Sequence, residues 1–226
     1  MIDHTILRPL ATRDDVLRAC EEAGQRHFAS VCIFPCWVST ASRALDGSDV
    51  KVCTVISFPF GADTRSAKVY AIRNSIANGA KEIDMTMNLS RFKSGDYDGV
   101  ARDISDAVEA INVISGLHDS RRVLLKVIIE TGVLSDQEKE AAARIVRDAG
   151  ADFIKTSTGT GPAGAAVDDI RLIRRSIGFS TVGIKASGGI KTVEQAVMLL
   201  NAGANRIGTS AGASIFDAYD TDAGLA

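Results

Sequence analysis

Residues 148–155 read DAGADFIK: the end of a helix, a glycine, then a short β-rich run closing on a lysine. Glycine takes the left-handed backbone at a helix C-terminus without strain, and the aromatic and β-branched residues after it suit a strand. The same junction recurs at 78–84, NGAKEID, and at 201–208, NAGANRIG. A repeated helix-to-strand unit calls for parallel strands joined by right-handed crossovers, with the helices outside. Working outward, β-rich runs fall at 2–7, 29–33, 50–57, 82–87, 123–130, 152–157, 182–187 and 206–210. Between them, Thr12 with Asp15, Ser135 with Glu138 and Thr192 with Gln195 have the spacing of helix N-caps, the last two being capping boxes. Gly24, Gly79, Gly150 and Gly203 follow the helix runs and are expected at left-handed C′ positions. Eight such units favour a closed (β/α)8 barrel of the TIM type. An open doubly wound sheet wants a G-x-G-x-x-G turn after a strand, and no such turn is present.

The length agrees: 226 residues suit one such domain, for which roughly 200–250 are needed. No linker is visible, and a short polar tail is expected over 217–226. A net charge of −2 gives no broad electrostatic reason for nucleic acid or an acidic membrane as partner. No apolar run approaches the ~18–20 residues of a membrane span, so a soluble cytoplasmic protein is expected. Cys20, Cys32, Cys36 and Cys53 lack zinc-ribbon or disulfide-framework spacing and read as free thiols, mostly buried, in a reducing compartment. His4, His27 and His118 are scattered without HxH or HExxH patterns, so no metal site is expected.

The chemistry is suggested by where charges interrupt the strands. Aligned on their isoleucines, the late strands read Ile83-Asp84, Ile154-Lys155, Ile184-Lys185 and Ile207-Gly208. Side chains alternate across a strand. If the isoleucines face the helices, Asp84, Lys155 and Lys185 point into the barrel, near the strand ends where barrel enzymes keep their active sites. Lys155 and Lys185 then lie on neighbouring strands, about 5 Å apart. At an effective dielectric near 20, a like charge ~4 Å away costs about 4 kcal/mol, and desolvation acts in the same direction. One lysine is therefore expected as the neutral amine that carbinolamine formation needs, with Asp84 stabilising the other as a cation. Lys126, in LLKVIIE, is expected to pair internally with Glu130. The last loops, STGTGPAG, SGG and GTSAGAS, are rich in glycine and hydroxyls. Their backbone N–H groups, with a short helix starting near Ser210, suit a phosphate.

Taken together, IDHTILRP, VCIFPCWV, VISFPFG, EIDMTMN, LLKVIIETG, FIKTSTG, GIKASGG and NRIGTSAG, in this order over nearly the whole chain, resemble the deoxyribose-phosphate aldolase family. The resemblance implies a class I aldolase without a cofactor. It would cleave 2-deoxy-D-ribose 5-phosphate reversibly to D-glyceraldehyde 3-phosphate and acetaldehyde. In that family the lysine of KTSTG, here Lys155, forms the Schiff base. The lysine before the Gly-Gly pair, here Lys185, perturbs it, and the aspartate of EIDM, here Asp84, joins the proton relay through a water. The resemblance also puts Asp3, Thr5 and Cys32 in the substrate pocket, and Gly159, Gly188, Gly189, Gly208 and Ser210 around the phosphate. Family members are often dimers; a homodimer is compatible with the apolar helix faces, but nothing in the sequence fixes an interface.

Three departures stand out. Thr160 occupies a position where some members carry a phosphate-binding lysine, and Ala211 replaces a second hydroxyl, so a weakened phosphate site is expected. Many members also have a helix plugging the barrel floor before the first strand. Here Ile2 already belongs to that strand, so either another element covers the floor or the chain is shortened. Two other readings remain open: a Schiff-base aldolase acting on another phosphorylated sugar, and a non-catalytic sugar-phosphate-binding barrel.

Overall fold

The structure, a computed structural model, describes residues 1–117 and 123–224; His118 lies outside the described residues. Its strands are β1 (Ile2–Ile6), β2 (Ser30–Ile33), β3 (Lys51–Ile56), β4 (Glu82–Thr86), β5 (Leu124–Ile128), β6 (Phe153–Lys155), β7 (Gly183–Ser187) and β8 (Arg206–Thr209). Its α-helices are α1 (Arg13–Gln25), α2 (Val38–Ala44), α3 (Arg65–Ala77), α4 (Leu89–Lys93), α5 (Tyr97–Leu117), α6 (Asp136–Asp148), α7 (Val167–Ile177), α8 (Val193–Asn201) and α9 (Gly212–Gly224). The strands close into a barrel in chain order, with β8 pairing β1 and all pairs parallel. This is the (β/α)8 barrel that the repeated junctions predict.

The isoleucine alignment decides which residues meet. Ile83, Ile154, Ile184 and Ile207 are all but completely buried in the main apolar core between sheet and helices. Burying each contributes about 1.5–3 kcal/mol. Period-two alternation then sends their neighbours inward. The register sets Lys155 beside Lys185 and Asp84 beside Lys126.

All three N-caps form as reciprocal capping boxes, the Thr12–Asp15 pair included. Gly79, Gly150 and Gly203 take φ of 108°, 86° and 115°, the left-handed role expected of them. Gly24 does not: α1 continues to Gln25, Arg26 caps it, and His27 takes the positive φ of 50°. The His27 ring, 3.1 Å from the Asp49 carboxylate, ties down the displaced turn.

The polar tail is likewise corrected. The segment after Ser210 forms a thirteen-residue helix rather than a short one, and it runs on to Gly224. Its polar residues are held by a side-chain contact: Asp217 accepts from Arg26 Nε and Nη2, at 2.8 Å each. The barrel floor is closed by side chains. Arg206 of β8 reaches across the barrel to Glu82 of β4 at 3.3 Å and to Asp3 at 2.6 Å, with its guanidinium 5.6 Å from the centre of the Phe153 ring. Cys20, Cys32 and Cys53 are buried free thiols, while Cys36 is exposed. Burial pushes the Cys20 thiol up to about 11. Among the described residues no helix is long and apolar enough to cross a membrane.

Candidate active site

The barrel interior is a charged network centred on Asp84. Its Oδ1 accepts from Lys126 Nζ at 2.8 Å and Cys53 Sγ at 3.2 Å. Its Oδ2 accepts from Lys155 Nζ at 2.8 Å and Lys185 Nζ at 2.7 Å. Lys185 is held from its other side by Asp3 Oδ2 at 2.5 Å. Lys126 reaches Glu82 at 2.6 Å and Asp3 at 3.5 Å. Sequence-predicted Asp84, Lys155 and Lys185 therefore meet on one carboxylate, and the amines of the two lysines share one oxygen.

The electrostatics involve more partners than a lysine pair. Burial pushes the Asp84 carboxyl up, but Lys126, Lys155 and Lys185 outweigh it and hold the group well below the usual carboxylate range. Asp3 behaves alike: burial raises it, and Lys185, Lys126 and Arg206 bring it down. Burial lowers Lys185, yet Asp3 and Asp84 more than compensate and keep it a cation. Lys126 is held protonated in the same way, chiefly by Asp84.

Lys126 corrects one expectation: it does not pair with Glu130. Glu130 lies beyond the end of β5 with a left-handed φ of 55°, which turns its side chain away from the strand's inward line. Its Oε2 accepts instead from Thr158, from N at 3.1 Å and from Oγ1. The internal pairing expected of Lys126 is present but its partner differs: it lies in register with Asp84 and pairs with Asp84, Glu82 and Asp3.

Above the network, at the C-terminal ends of the strands, a cavity of about 550 Å³ opens. Thr5, Lys155, Gly159, Gly188, Gly189, Gly208 and Ser210 line it. Asp3, Cys32, Asp84 and Lys185 lie beneath it, each without exposed surface; Cys32 Sγ is 3.9 Å from Asp84 Oδ2. Gly188 and Gly189 have φ of 93° and 76°. A Cβ at Gly188 would stand 3.0 Å from Gly164 Cα and 3.5 Å from Gly159 Cα, so the two loops meet backbone to backbone at the cavity edge. The N–H of Ala211 turns to Thr209 Oγ1 at 2.9 Å, so the β8 loop does not offer it to the cavity.

Cys32, Cys53 and Asp84 bring ligand-type atoms within 4.8 Å of one another. Both Asp84 oxygens already hold ammonium groups, which a divalent cation would have to displace. The set is chemically built for amines.

A lysine that reaches a cavity from within such a network lies at the C-terminal end of a parallel (β/α)8 barrel, where barrel enzymes keep their active sites. The comparisons specify which kind. The chain belongs to the DeoC/LacD aldolase family, whose model, described as DeoC/LacD family aldolase, matches residues 1–218. It is 48% identical over 219 residues to the deoxyribose-phosphate aldolase of Caldanaerobacter subterraneus subsp. tengcongensis, covering 97% of this chain and 92% of that one. It is 49% identical over 214 residues to the Streptococcus gordonii protein of the same name, covering 95% of this chain and 93% of that one. A crystal structure described as a putative deoxyribose-phosphate aldolase from Coccidioides immitis superposes with a TM-score of 0.91 at 37% identity, over 97% of this chain and 84% of the other. The protein is thus an aldolase, a carbon–carbon lyase.

Proposed function

We propose that the chain cleaves 2-deoxy-D-ribose 5-phosphate reversibly to D-glyceraldehyde 3-phosphate and acetaldehyde, through a Schiff base on Lys155. The observation that carries this reading is which amine meets the cavity. Lys155 lines it, whereas Lys126 and Lys185 are sealed below. Charge balance selects the same residue. The interior holds four cations, Lys126, Lys155, Lys185 and Arg206, against three carboxylates, Asp3, Glu82 and Asp84. One cation is unmatched, and Lys155 is the lysine with a single carboxylate partner, itself shared. It is the amine least tied into the network and the one placed to attack a carbonyl in the cavity.

In the synthetic direction that amine adds to acetaldehyde and loses water to form an iminium. A proton leaves the adjacent carbon, and the resulting enamine attacks the aldehyde of the phosphorylated acceptor. Hydrolysis then returns the amine. Lys185, fixed as an ammonium between Asp3 and Asp84, is the proton donor and acceptor held nearest to Lys155, and a water carries protons between this pair and the substrate. The iminium is the electron sink, so the chain's own residues suffice for this route. Gly159, Gly188, Gly189, Gly208 and Ser210 bind the phosphate from the cavity rim, and Thr5 lines the wall facing the reacting carbons. Asp3 and Cys32 act from beneath: Asp3 positions Lys185, and Cys32 packs against Asp84.

Acetaldehyde with borohydride tests the assignment: reduction should place an ethyl group on Lys155, a net gain of C2H4 on the peptide that carries it. An adduct on the Lys185 peptide, with Lys155 unlabelled, would overturn it.

A second expected result concerns Gly208. A Cβ there would stand 2.7 Å from Lys185 Cε and 3.1 Å from the Ser187 Cβ. Gly208→Ala should shift the Lys185 amine off Asp84 and lower kcat on the order of 10²-fold, the usual penalty for a small misplacement. The stability loss should be only ~1–3 kcal/mol. Steady-state kinetics beside urea unfolding separate the two effects; unchanged kcat would show that Lys185 needs no such alignment.

A further inference from the structure

The cavity rim is not electrically uniform, and the asymmetry bears on how this chain recognises the charged end of its substrate; the inference rests on the sugar-phosphate reading above. On the β6 side stands Thr160. Glu130, buried and forming no ion pair among the described residues, accepts the hydroxyl hydrogen of Thr158. Thr158 Oγ1 gives its one hydrogen to Glu130 Oε2 and has none left for any other partner. It is approached by Thr160 N at 3.1 Å and by Thr160 Oγ1 at 2.9 Å, and must accept from both. The single hydroxyl hydrogen of Thr160 therefore points inward to Thr158, and its lone pairs face the cavity. This edge is an acceptor backed by a buried carboxylate, the wrong polarity for a phosphate dianion.

The opposite side is built the other way. Arg8, just after β1, and Arg18, on α1, both line the cavity. They share one oxygen of Asp15, with Arg8 Nη2 at 2.7 Å and Arg18 Nη1 at 3.8 Å. The second Asp15 oxygen is taken by the α1 capping box, at 2.8 Å from both N and Oγ1 of Thr12. Two guanidiniums thus stand on half a carboxylate, leaving positive charge and unused N–H donors over the cavity. The other acid on this wall, Glu22, lies 2.9 Å from His4 Nε2; burial lowers His4, so this contact adds no cation, and Lys191 supplies the further positive charge. Lys191 lines the cavity beside Gly188 and Gly189, so the cationic wall continues around from α1 to the β7 loop, where it meets the uncharged β6 loop.

We propose that this chain reads the substrate's phosphate charge from the β1–α1 wall, through Arg8 and Arg18, and that Thr160 contributes nothing to it. Guanidinium is suited to the task because its planar fork of donors matches phosphate oxygens. The arrangement makes up for the uncharged β6 loop without adding a cation near Lys155, where one would further disturb the amine.

Calorimetric titration with inorganic phosphate tests this without any turnover, on wild-type protein, Arg8→Gln/Arg18→Gln and Thr160→Val. The expected result is a Kd at least fivefold weaker in the double variant and less than twofold changed in Thr160→Val. A smaller change in the double variant, an effect of Thr160→Val equal to it, or no phosphate binding by wild-type protein overturns the proposal. The activity arm follows the ratio of kcat/KM for phosphorylated over free 2-deoxyribose, expected to fall at least fivefold in the double variant; an unchanged ratio counts against the arginines. If wild-type protein turns over neither sugar, the aldolase substrate is wrong, and the phosphate titration alone decides the role of the arginines.

Discussion

Lys155→Met is expected to abolish the reaction and leave the barrel at least as stable as before. Loss of the nucleophile should lower kcat by at least ~10³-fold, in line with the removal of covalent catalysts elsewhere, and should eliminate borohydride trapping. The stability half of the prediction comes from charge. With Lys155 removed, three interior cations face three carboxylates, and a methionine of similar length fills the space beside Asp84. Replacing a buried ionic group by a packed apolar one is often neutral or stabilising by ~1–4 kcal/mol, and here the removed charge is the unbalanced one. Urea unfolding of the variant should therefore give a free energy equal to or above that of the parent. A loss of more than about 2 kcal/mol would mean that Asp84 needs all three lysines around it, and the charge-balance argument for Lys155 would fall with it. Lys155→Arg is the complementary control. Arginine keeps the charge but cannot become a neutral amine, so it should be inactive without any gain in stability.

Such a trade between stability and reactivity explains why so much of the barrel was legible from its sequence while the network was only partly so. The Gly-to-strand junctions at 78–84, 148–155 and 201–208 are local signals. Each carries its own turn chemistry, and repetition makes the topology follow. Asp84, Lys155 and Lys185 were legible because one isoleucine alignment fixes their direction. The partners of Lys126 were not, because they depend on strand register and, in part, on barrel closure. Glu82 and Asp84 come from the neighbouring strand β4, whose register with β5 the sequence does not show, and only closure brings Asp3 of β1 to the same centre. Pairing Lys126 with Glu130 assumed a straight strand, and the left-handed turn at Glu130 ended it first. Gly24 and the segment after Phe216 failed for a related reason. A glycine and a polar stretch were read as endings where a tertiary contact, His27 to Asp49 or Asp217 to Arg26, accompanies a chain that runs past them.

Asp84→Asn should be the most damaging single change in the interior. It leaves Lys126, Lys155 and Lys185 around a neutral amide. Removing one partner of a buried ionic set typically costs ~3–5 kcal/mol, and turnover should be lost with it because Lys185 is no longer held against Lys155. The pH dependence gives a signature that a mere packing defect lacks. Asp84 titrates well below its ordinary range in the folded protein, since three ammonium groups outweigh its burial. A carboxyl depressed in this way stabilises the fold fully above its unfolded pKa of about 3.9, and that contribution disappears as pH falls toward the folded value. Lys126 and Lys185, raised in the folded state, contribute stability that is complete below the unfolded lysine value near 10.4 and is lost only as pH rises through their folded values. Between about pH 5 and pH 10, the network's contribution should therefore be flat. Below about pH 4 the gap between parent and Asp84→Asn should close by roughly 1.4 kcal/mol per pH unit, the slope for one proton. Denaturant titrations at pH 7 and at two values below 4 measure it directly. A gap that stays constant on acidification would place the damage in packing, and Asp84 would not be the charge on which the three lysines converge.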